Sequence, residues 1–422
     1  MTKAERSWIF YDWANSAHTL IIVTTILPIF FKNFAAKDME PYLSTAYWGY
    51  GNFGAHLIGA VMAPVLGALA DRRGRKKPYF AFFLAVGLLS TLLLVSVGEG
   101  AWFSCLLVYG LSVIGFTGAN TIYDSFLVDV TEKKRMDWVS SCGYAWGYFG
   151  STIPFLLSMA IIMKPEWFGL SSGITPTRVA FGITAGWWLV FSLPLLRNVR
   201  QVYFVEPVGN AIADSLRRLG TTLRNIRATP QVFLFLLAYF CYIDGIYTII
   251  EMAVVYGSDV GIGSDQLMII LLVTQFVAFP FAILYGRLAK TFSAKNMILV
   301  GIVVYLGVTI FAYFIRTELH FWILAILVGT SQGGVQSLSR SFFGKIIPPE
   351  RSAEFFGFYN IWGKFASIVG TLLVGLVTQL TGASRNGVLS LILLFIVGGL
   401  ILLRVEEEGP QGHPGQQGPK GH

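Results

Sequence analysis

The sequence predicts an all-α membrane protein, with twelve transmembrane helices in two pseudo-symmetric six-helix bundles. Three observations carry this. Of 422 residues, 55% are hydrophobic and only 13% charged, with a mean hydropathy of +0.63, and the apolar residues arrive in blocks separated by short polar loops. Blocks of about 20 apolar residues are what a bilayer core requires of a helix. Basic residues fall in alternate loops, and the second half of the chain repeats motifs of the first.

Hydropathy places the spans near residues 8–33, 45–70, 78–97, 102–129, 138–162, 177–196, 231–256, 266–288, 296–315, 320–344, 353–379 and 386–403. Stretches such as "LIIVTTILPIFF" and "VLSLILLFIVGGLILL" lack the polar alternation of soluble helices or strands. With the N-terminus inside, one set of loops collects Lys3, Arg6, "RRGRKK", "KKR", the run Arg197 to Arg227, Arg287, Lys290, Lys295, Lys345, Arg351 and Arg404. The opposite set holds Lys32, Lys37, Lys164, Arg178, Arg316 and Arg385. The positive-inside rule then puts both termini in the cytoplasm of a multi-pass plasma-membrane protein. The formal charge of +8 sets topology and touches anionic lipid, so no nucleic-acid partner is implied. Cys105, Cys142 and Cys241 fall inside spans, with no disulfide framework and no metal-ligand spacing. No cleavable signal peptide is visible, because the first apolar segment is too long and lacks a small-residue cleavage site.

The longest polar connection divides the chain. We read residues 1–196 as an N-terminal six-helix bundle, 197–230 as a basic cytoplasmic linker, 231–405 as a C-terminal six-helix bundle and 406–422 as a disordered tail. "YDSFLVDVTEKKR" onward matches "SRSFFGKIIPPER" onward at a constant offset, pairing Gly118 with Gly334, Ser125 with Ser341, Trp146 with Trp362 and Gly147 with Gly363. "GALADRRGRKK" echoes "GRLAKTFSAKN", and "YDWANSAHT" echoes "FCYIDGIYT". Duplicated units of this kind build alternating-access transporters, which hold substrate near the midplane between two rocking halves.

Polar residues inside the spans follow helical spacing. Asp12, Asn15, Ser16 and Thr19 share one face of span one, widened by Tyr11 and His18, and Asp244, Tyr247, Thr248 and Glu251 form a stripe on span seven. Span four offers Asn120, Thr121 and Asp124; span ten offers Gln332, Gln336 and Arg340; span five offers Tyr144 and Tyr148; span eleven offers Asn360 and Lys364. Intramembrane charges cost several kcal/mol unless they pair or meet water, so these faces line a cavity. Candidate substrate-binding residues are Asp12, Asn15, Asn120, Asp124, Tyr144, Tyr148, Asp244, Gln336, Arg340, Asn360 and Lys364. Acids outnumber bases among them, which makes Asp12 or Glu251 the candidate carrier of a coupling proton, with His18 as a relay.

The loop "GALADRRGRKK" is similar to the signature loop of the major facilitator superfamily between the second and third spans. Gly67 permits close helix contact, Asp71 suits a helix N-terminus, and Arg72, Arg75 and Lys76 are placed to reach Asp129. In the superfamily such a cluster latches the outward-open state, and the resemblance implies that role for Gly67, Asp71, Arg72, Arg75 and Asp129. Lys290 stands where the second copy would need Asp71, so the latch is expected mainly on the N-terminal side.

"FYDWANSAHT", with "YIDGIYTII" and the facilitator loop, resembles the autophagy-related-22-like vacuole effluxer family, a branch of that superfamily, over nearly the whole chain. The resemblance implies a twelve-span transporter. Fungal members are associated with amino-acid export from the vacuole; the short loops here point to a bacterial plasma-membrane form. The expected activity is secondary transport of a small polar or zwitterionic solute, with amino acids the leading class and proton coupling. Its partners are that small-molecule substrate and the lipid bilayer, and the protein is expected to act as a monomer without cofactor or metal. Export of lipophilic drugs or lysolipids, and a solute sensor or scaffold that moves nothing, are the alternatives. No phosphate-binding loop and no recognisable nucleophile and base pair occurs, which argues against an ATP-driven pump and against an enzyme.

Overall fold

The computed structural model describes residues 1–206, 217, 219–221, 229–259 and 261–406. Twelve helices in the described residues are long and apolar enough to cross a membrane: α1 (Lys3–Ala35), α2 (Tyr42–Ala70), α3 (Lys76–Ser96), α4 (Trp102–Val130), α5 (Lys133–Met163), α6 (Thr175–Asn198), α7 (Pro230–Ala253), α8 (Ile269–Phe292), α9 (Ala294–Tyr313), α10 (Glu318–Ile346), α11 (Pro349–Thr381) and α12 (Ser384–Leu403). Each lies on one of the twelve apolar blocks of the sequence.

α1 opens on a capping box, in which Thr2 Oγ1 accepts from Glu5 N at 3.1 Å and Glu5 Oε2 accepts from Thr2 N at 2.7 Å. Beyond His18 the helix widens into π turns at Thr19–Thr25 and Phe31–Ala35, on either side of Pro28. Proline removes one backbone donor and crowds the preceding turn. The Thr24 and Thr25 hydroxyls both donate to Leu20 O there, so each hydroxyl finds an acceptor within its own helix inside the bilayer.

Each half has an apolar core of its own. Trp8, Tyr11, Phe80, Tyr123 and Trp188 centre one in the first half, and Tyr242, Tyr305, Phe342 and Phe395 belong to that of the second. The halves meet most extensively along two helix pairs, α2 with α11 and α5 with α8, which the duplication makes equivalent, and α5 also packs on α10. Both crossings rest on a missing Cβ. A Cβ on Gly67 would stand 2.0 Å from Ala353 O, and one on Gly286, its counterpart in the second copy, 2.5 Å from Ser141 Cβ. Small residues let helix backbones approach this closely where no hydrophobic drive exists between helices in lipid.

The first residues of the linker run beside the α2–α3 loop. Val205 N donates to Asp71 O at 2.8 Å, and Gln201 Nε2 donates to Tyr203 O at 3.2 Å. Most of residues 207–228, and the expected disordered tail from 407 onward, lie outside the described residues.

Candidate functional site

A buried polar cluster between the halves is built on Arg340, which α10 carries into the first half and which is only 2% exposed. Its Nη2 donates to Asp12 Oδ2 at 2.8 Å and to Ser140 O at 3.2 Å, its Nε donates to Ser140 Oγ at 3.0 Å, and its Nη1 reaches Asp124 Oδ1 at 3.3 Å. Three aromatic rings surround the guanidinium, with centroids at 4.4 Å for Tyr144, 4.6 Å for Trp8 and 5.5 Å for Tyr123. Carboxylates at two edges and ring faces around the plane are how a buried arginine is compensated. Gly143 leaves the space, since a Cβ there would lie 2.3 Å from Asp12 Oδ2.

Further ties join the halves at the same end. Asp137 accepts from Lys345 Nζ at 2.7 Å and from Ser341 Oγ at 2.6 Å, and Ser140 Oγ donates to Ser337 O at 2.7 Å. Asp71 caps α11 across the interface, its two oxygens accepting from Ala353 N and Glu354 N, each at 2.8 Å. Charge at a helix N-terminus is favourable there, and four backbone donors would otherwise be orphaned. Burial nonetheless pushes the Asp71 carboxyl up to about 7, against the opposing pull of Lys76 and of the two backbone donors. Lys76 Nζ, fully buried, donates to Asp129 Oδ2 at 2.7 Å and to Ser352 Oγ at 2.8 Å. The other Asp129 oxygen accepts from Val202 N and Tyr203 N of the linker at 2.7 and 2.9 Å. The ties from Asp71, Lys76 and Asp137 cross between the halves on the face of the bundle that carries the basic loops.

Several residues stand differently from the sequence expectation. Lys76 reaches Asp129, whereas Arg72 and Arg75 do not: the loop turns Arg75 outward, and Arg72 Nε has no partner. His18 belongs to the packing of the first half, since it sits between Phe116 and Trp188, with Nε2 2.7 Å from Ser112 Oγ. Asp244 faces α11 rather than the middle of the interface. Its Oδ1 accepts from Gly370 N at 2.8 Å and from Thr248 Oγ1 at 3.4 Å, and its Oδ2 is buried without a partner. Lys290 and Arg287 stand over the ring of Trp138 at 5.2 and 5.7 Å, so cation–π contact fills the place of the second-copy aspartate.

The remaining candidates stand between the halves. Asn15 Nδ2 donates to Asn120 Oδ1 at 3.0 Å, Asn360 Nδ2 donates to Thr121 Oγ1 across the interface at 3.2 Å, and the rings of Tyr144 and Tyr148 lie 6.4 Å apart. Gln336 is half-buried, as are Tyr247 and Trp362. Lys364 on α11 is half-buried and Glu251 on α7 is exposed, and neither has a hydrogen bond or ion pair among the described residues. The two are near enough to interact electrostatically, and Lys364 also acts on His18 and His56. Trp8, Ser140 and the Asp137–Lys345 pair escaped sequence reasoning; Trp8, one turn before Asp12, was the readable signal.

Two six-helix halves crossing at α2–α11 and α5–α8, with ionic ties on one face, define a transporter of the major facilitator superfamily. The fold matches the structure of FucP in the outward conformation with TM-score 0.72 and 14% identity, covering 96% of this chain and 98% of that one. It matches the proton:xylose symporter XylE with TM-score 0.74 and 12% identity over 95% of each chain. Residues 44–411 match the family described as Vacuole effluxer Atg22 like, and the chain belongs to that family. Among its relatives is the MFS-type transporter YxiO of Bacillus subtilis (strain 168), 50% identical over 96% of both chains. Autophagy-related protein 22 of Pichia angusta is 25% identical over 86% of this chain and 74% of its own length.

Proposed function

We propose that this transporter moves a small zwitterionic solute, with amino acids the leading class, by proton-coupled alternating access. The observation that carries the reading is the pair Lys364 and Glu251, opposite charges on facing helices that attract each other electrostatically but that no hydrogen bond or ion pair engages among the described residues. Arg340, Asp12 and Asp124 are engaged with one another. Unpaired charges within the spans are expensive unless a ligand or water meets them. A substrate carboxylate would sit at Lys364 and an ammonium at Glu251, with Tyr144, Tyr148 and Trp362 around the apolar part. The amides Asn15, Asn120, Asn360 and Gln336 would supply neutral hydrogen bonds. Because Asp12 is held by Arg340, Glu251 becomes the leading carrier of the coupling proton.

In this reading the Gly67, Asp71, Lys76 and Asp129 cluster is the latch that holds the basic face shut, and Arg340 with Asp12 and Asp124 is a second tie beneath the site. The excess of basic residues on that face supports a plasma-membrane orientation with both termini cytoplasmic. One chain supplies both walls of the site, which supports a monomer.

The test is counterflow of labelled amino acids in proteoliposomes. Wild-type protein is expected to exchange at least one amino acid, with Lys364→Ala lowering uptake at least tenfold and collapse of the pH gradient abolishing accumulation. Uptake of every amino acid unchanged by both interventions would overturn the proposal.

A further inference from the structure

α2 and α3 are consecutive and antiparallel, yet they scarcely touch; each packs on α4 instead. The space left between them is a groove of about 440 Å³. Val65 and Leu69 line it from α2, Tyr79 and Phe82 from α3, and Arg75 closes its basic end. Every other lining residue is apolar. Phe82 is among the exposed large hydrophobic residues, so the groove opens on the outside of the bundle. Within the spans that outside is acyl chain rather than water.

Arg75 is the charged residue in the lining, and Arg72 and Lys77 are its neighbours in the chain. Arg75 and Lys77 have no ion pair or side-chain hydrogen bond among the described residues, and Arg72 Nε is buried without a partner. Arg73 differs: it pairs with Glu206 at 3.4 Å and lies over the Phe204 ring at 5.2 Å. An apolar trough in the bilayer that ends at the unpaired Arg75 guanidinium, with Arg72 in the same loop, matches one ligand shape, an acyl chain joined to an anionic head. Guanidinium donors match phosphate oxygens in geometry and charge.

We propose that this groove is a specific site for an anionic phospholipid, with one acyl chain along Val65, Leu69 and Phe82 and the phosphate at Arg75 and Arg72. The site lies directly behind the latch. Asp71, which caps α11, is adjacent to Arg72 in the same loop, and Gly67 on the same helix meets Ala353. A phosphate drawn to this loop would hold it in the conformation that keeps Asp71 on the α11 N-terminus. The proposal goes beyond the transport reading and does not depend on which solute is carried.

Native mass spectrometry of the full chain in mild detergent tests it, with equimolar phosphatidylglycerol and phosphatidylcholine of identical chains added. Wild-type protein should retain at least threefold more phosphatidylglycerol. Arg75→Gln should lower that lipid to the phosphatidylcholine level, and Arg73→Gln, a change of equal charge outside the groove, should leave the preference intact. Leu69→Trp, which fills the trough, should reduce retention of both lipids even if Arg75→Gln protein is recovered in low yield. Equal retention of the two lipids by wild-type protein, or the same loss from Arg73→Gln as from Arg75→Gln, would overturn the site.

Discussion

The Arg340 guanidinium of α10 lies 2.8 Å from Asp12 Oδ2 of α1, an ion pair between opposite halves and between residues 328 apart in sequence. A buried pair of this kind adds little net stability over an apolar substitute, but removing one partner strands the other, at about 3–5 kcal/mol. Arg340→Ala should therefore destabilise strongly, because two carboxylates lose their cation at once. Arg340→Met combined with Asp12→Asn and Asp124→Asn should recover most of that loss. Thermal unfolding in detergent, compared across the single and triple variants, checks the ordering; equal loss in both would refute it.

Much of the fold was legible because hydropathy is a property of each segment by itself. The twelve blocks and the repeat pairing Trp146 with Trp362 needed no knowledge of packing. The site was legible only as a set of polar faces. Whether Asp12 meets Arg340 or substrate depends on how α1 and α10 rotate against each other, which no local pattern encodes. Asp12 and Asp244 look alike in sequence, each an acid in an echoed motif, yet one meets a guanidinium and the other a backbone N–H. His18 lay on the polar face by spacing, but Ser112 on α4 gives it a partner inside its own half.

Asp71 makes the α2–α11 contact pH-dependent. Its carboxyl is raised from an ordinary 3.8 to about 7 in the folded protein, chiefly by burial. A raised folded-state value means the native state binds the extra proton. The stability contributed by this group is thus fully present below about 4 and is lost as pH rises through about 7. Wild-type protein should lose thermal stability between about pH 4 and pH 7, and Asp71→Asn should flatten that part of the profile. Melting curves of the two proteins that run parallel over this range would exclude Asp71 as the source.

Gly67 sets how closely the halves can meet. Any side chain there would put a Cβ 2.0 Å from Ala353 O, a backbone atom that cannot turn aside. Gly67→Ala should therefore force α2 and α11 apart and open the basic face while leaving the core of each half intact. Spin labels at Arg73→Cys and Glu350→Cys, both exposed and in opposite halves, should report a longer distance in the variant. The native Cys105, Cys142 and Cys241 are buried and should remain unlabelled. An unchanged distance distribution would mean that α11 yields locally instead.

Asp244 and Gly370 form the corresponding close contact inside the second half, and here charge and volume predict opposite effects. A Cβ at Gly370 would stand 2.2 Å from Thr248 Oγ1 and 2.6 Å from Asp244 Oδ1, so Gly370→Ala pushes α11 off α7 and breaks the 2.8 Å hydrogen bond. Overpacking of this size costs about 1–3 kcal/mol. Thr248→Ala in the same background removes the nearer clash and should restore part of the loss. Asp244→Asn should behave otherwise, since the amide oxygen keeps the bond from Gly370 N while the charge, whose second oxygen has no partner, disappears. That variant should melt at or above the wild-type temperature, whereas Asp12→Asn, which takes a carboxylate from Arg340, should melt below it. If both asparagine variants fall by the same amount, the unpaired oxygen of Asp244 does not set the two acids apart and the prediction fails.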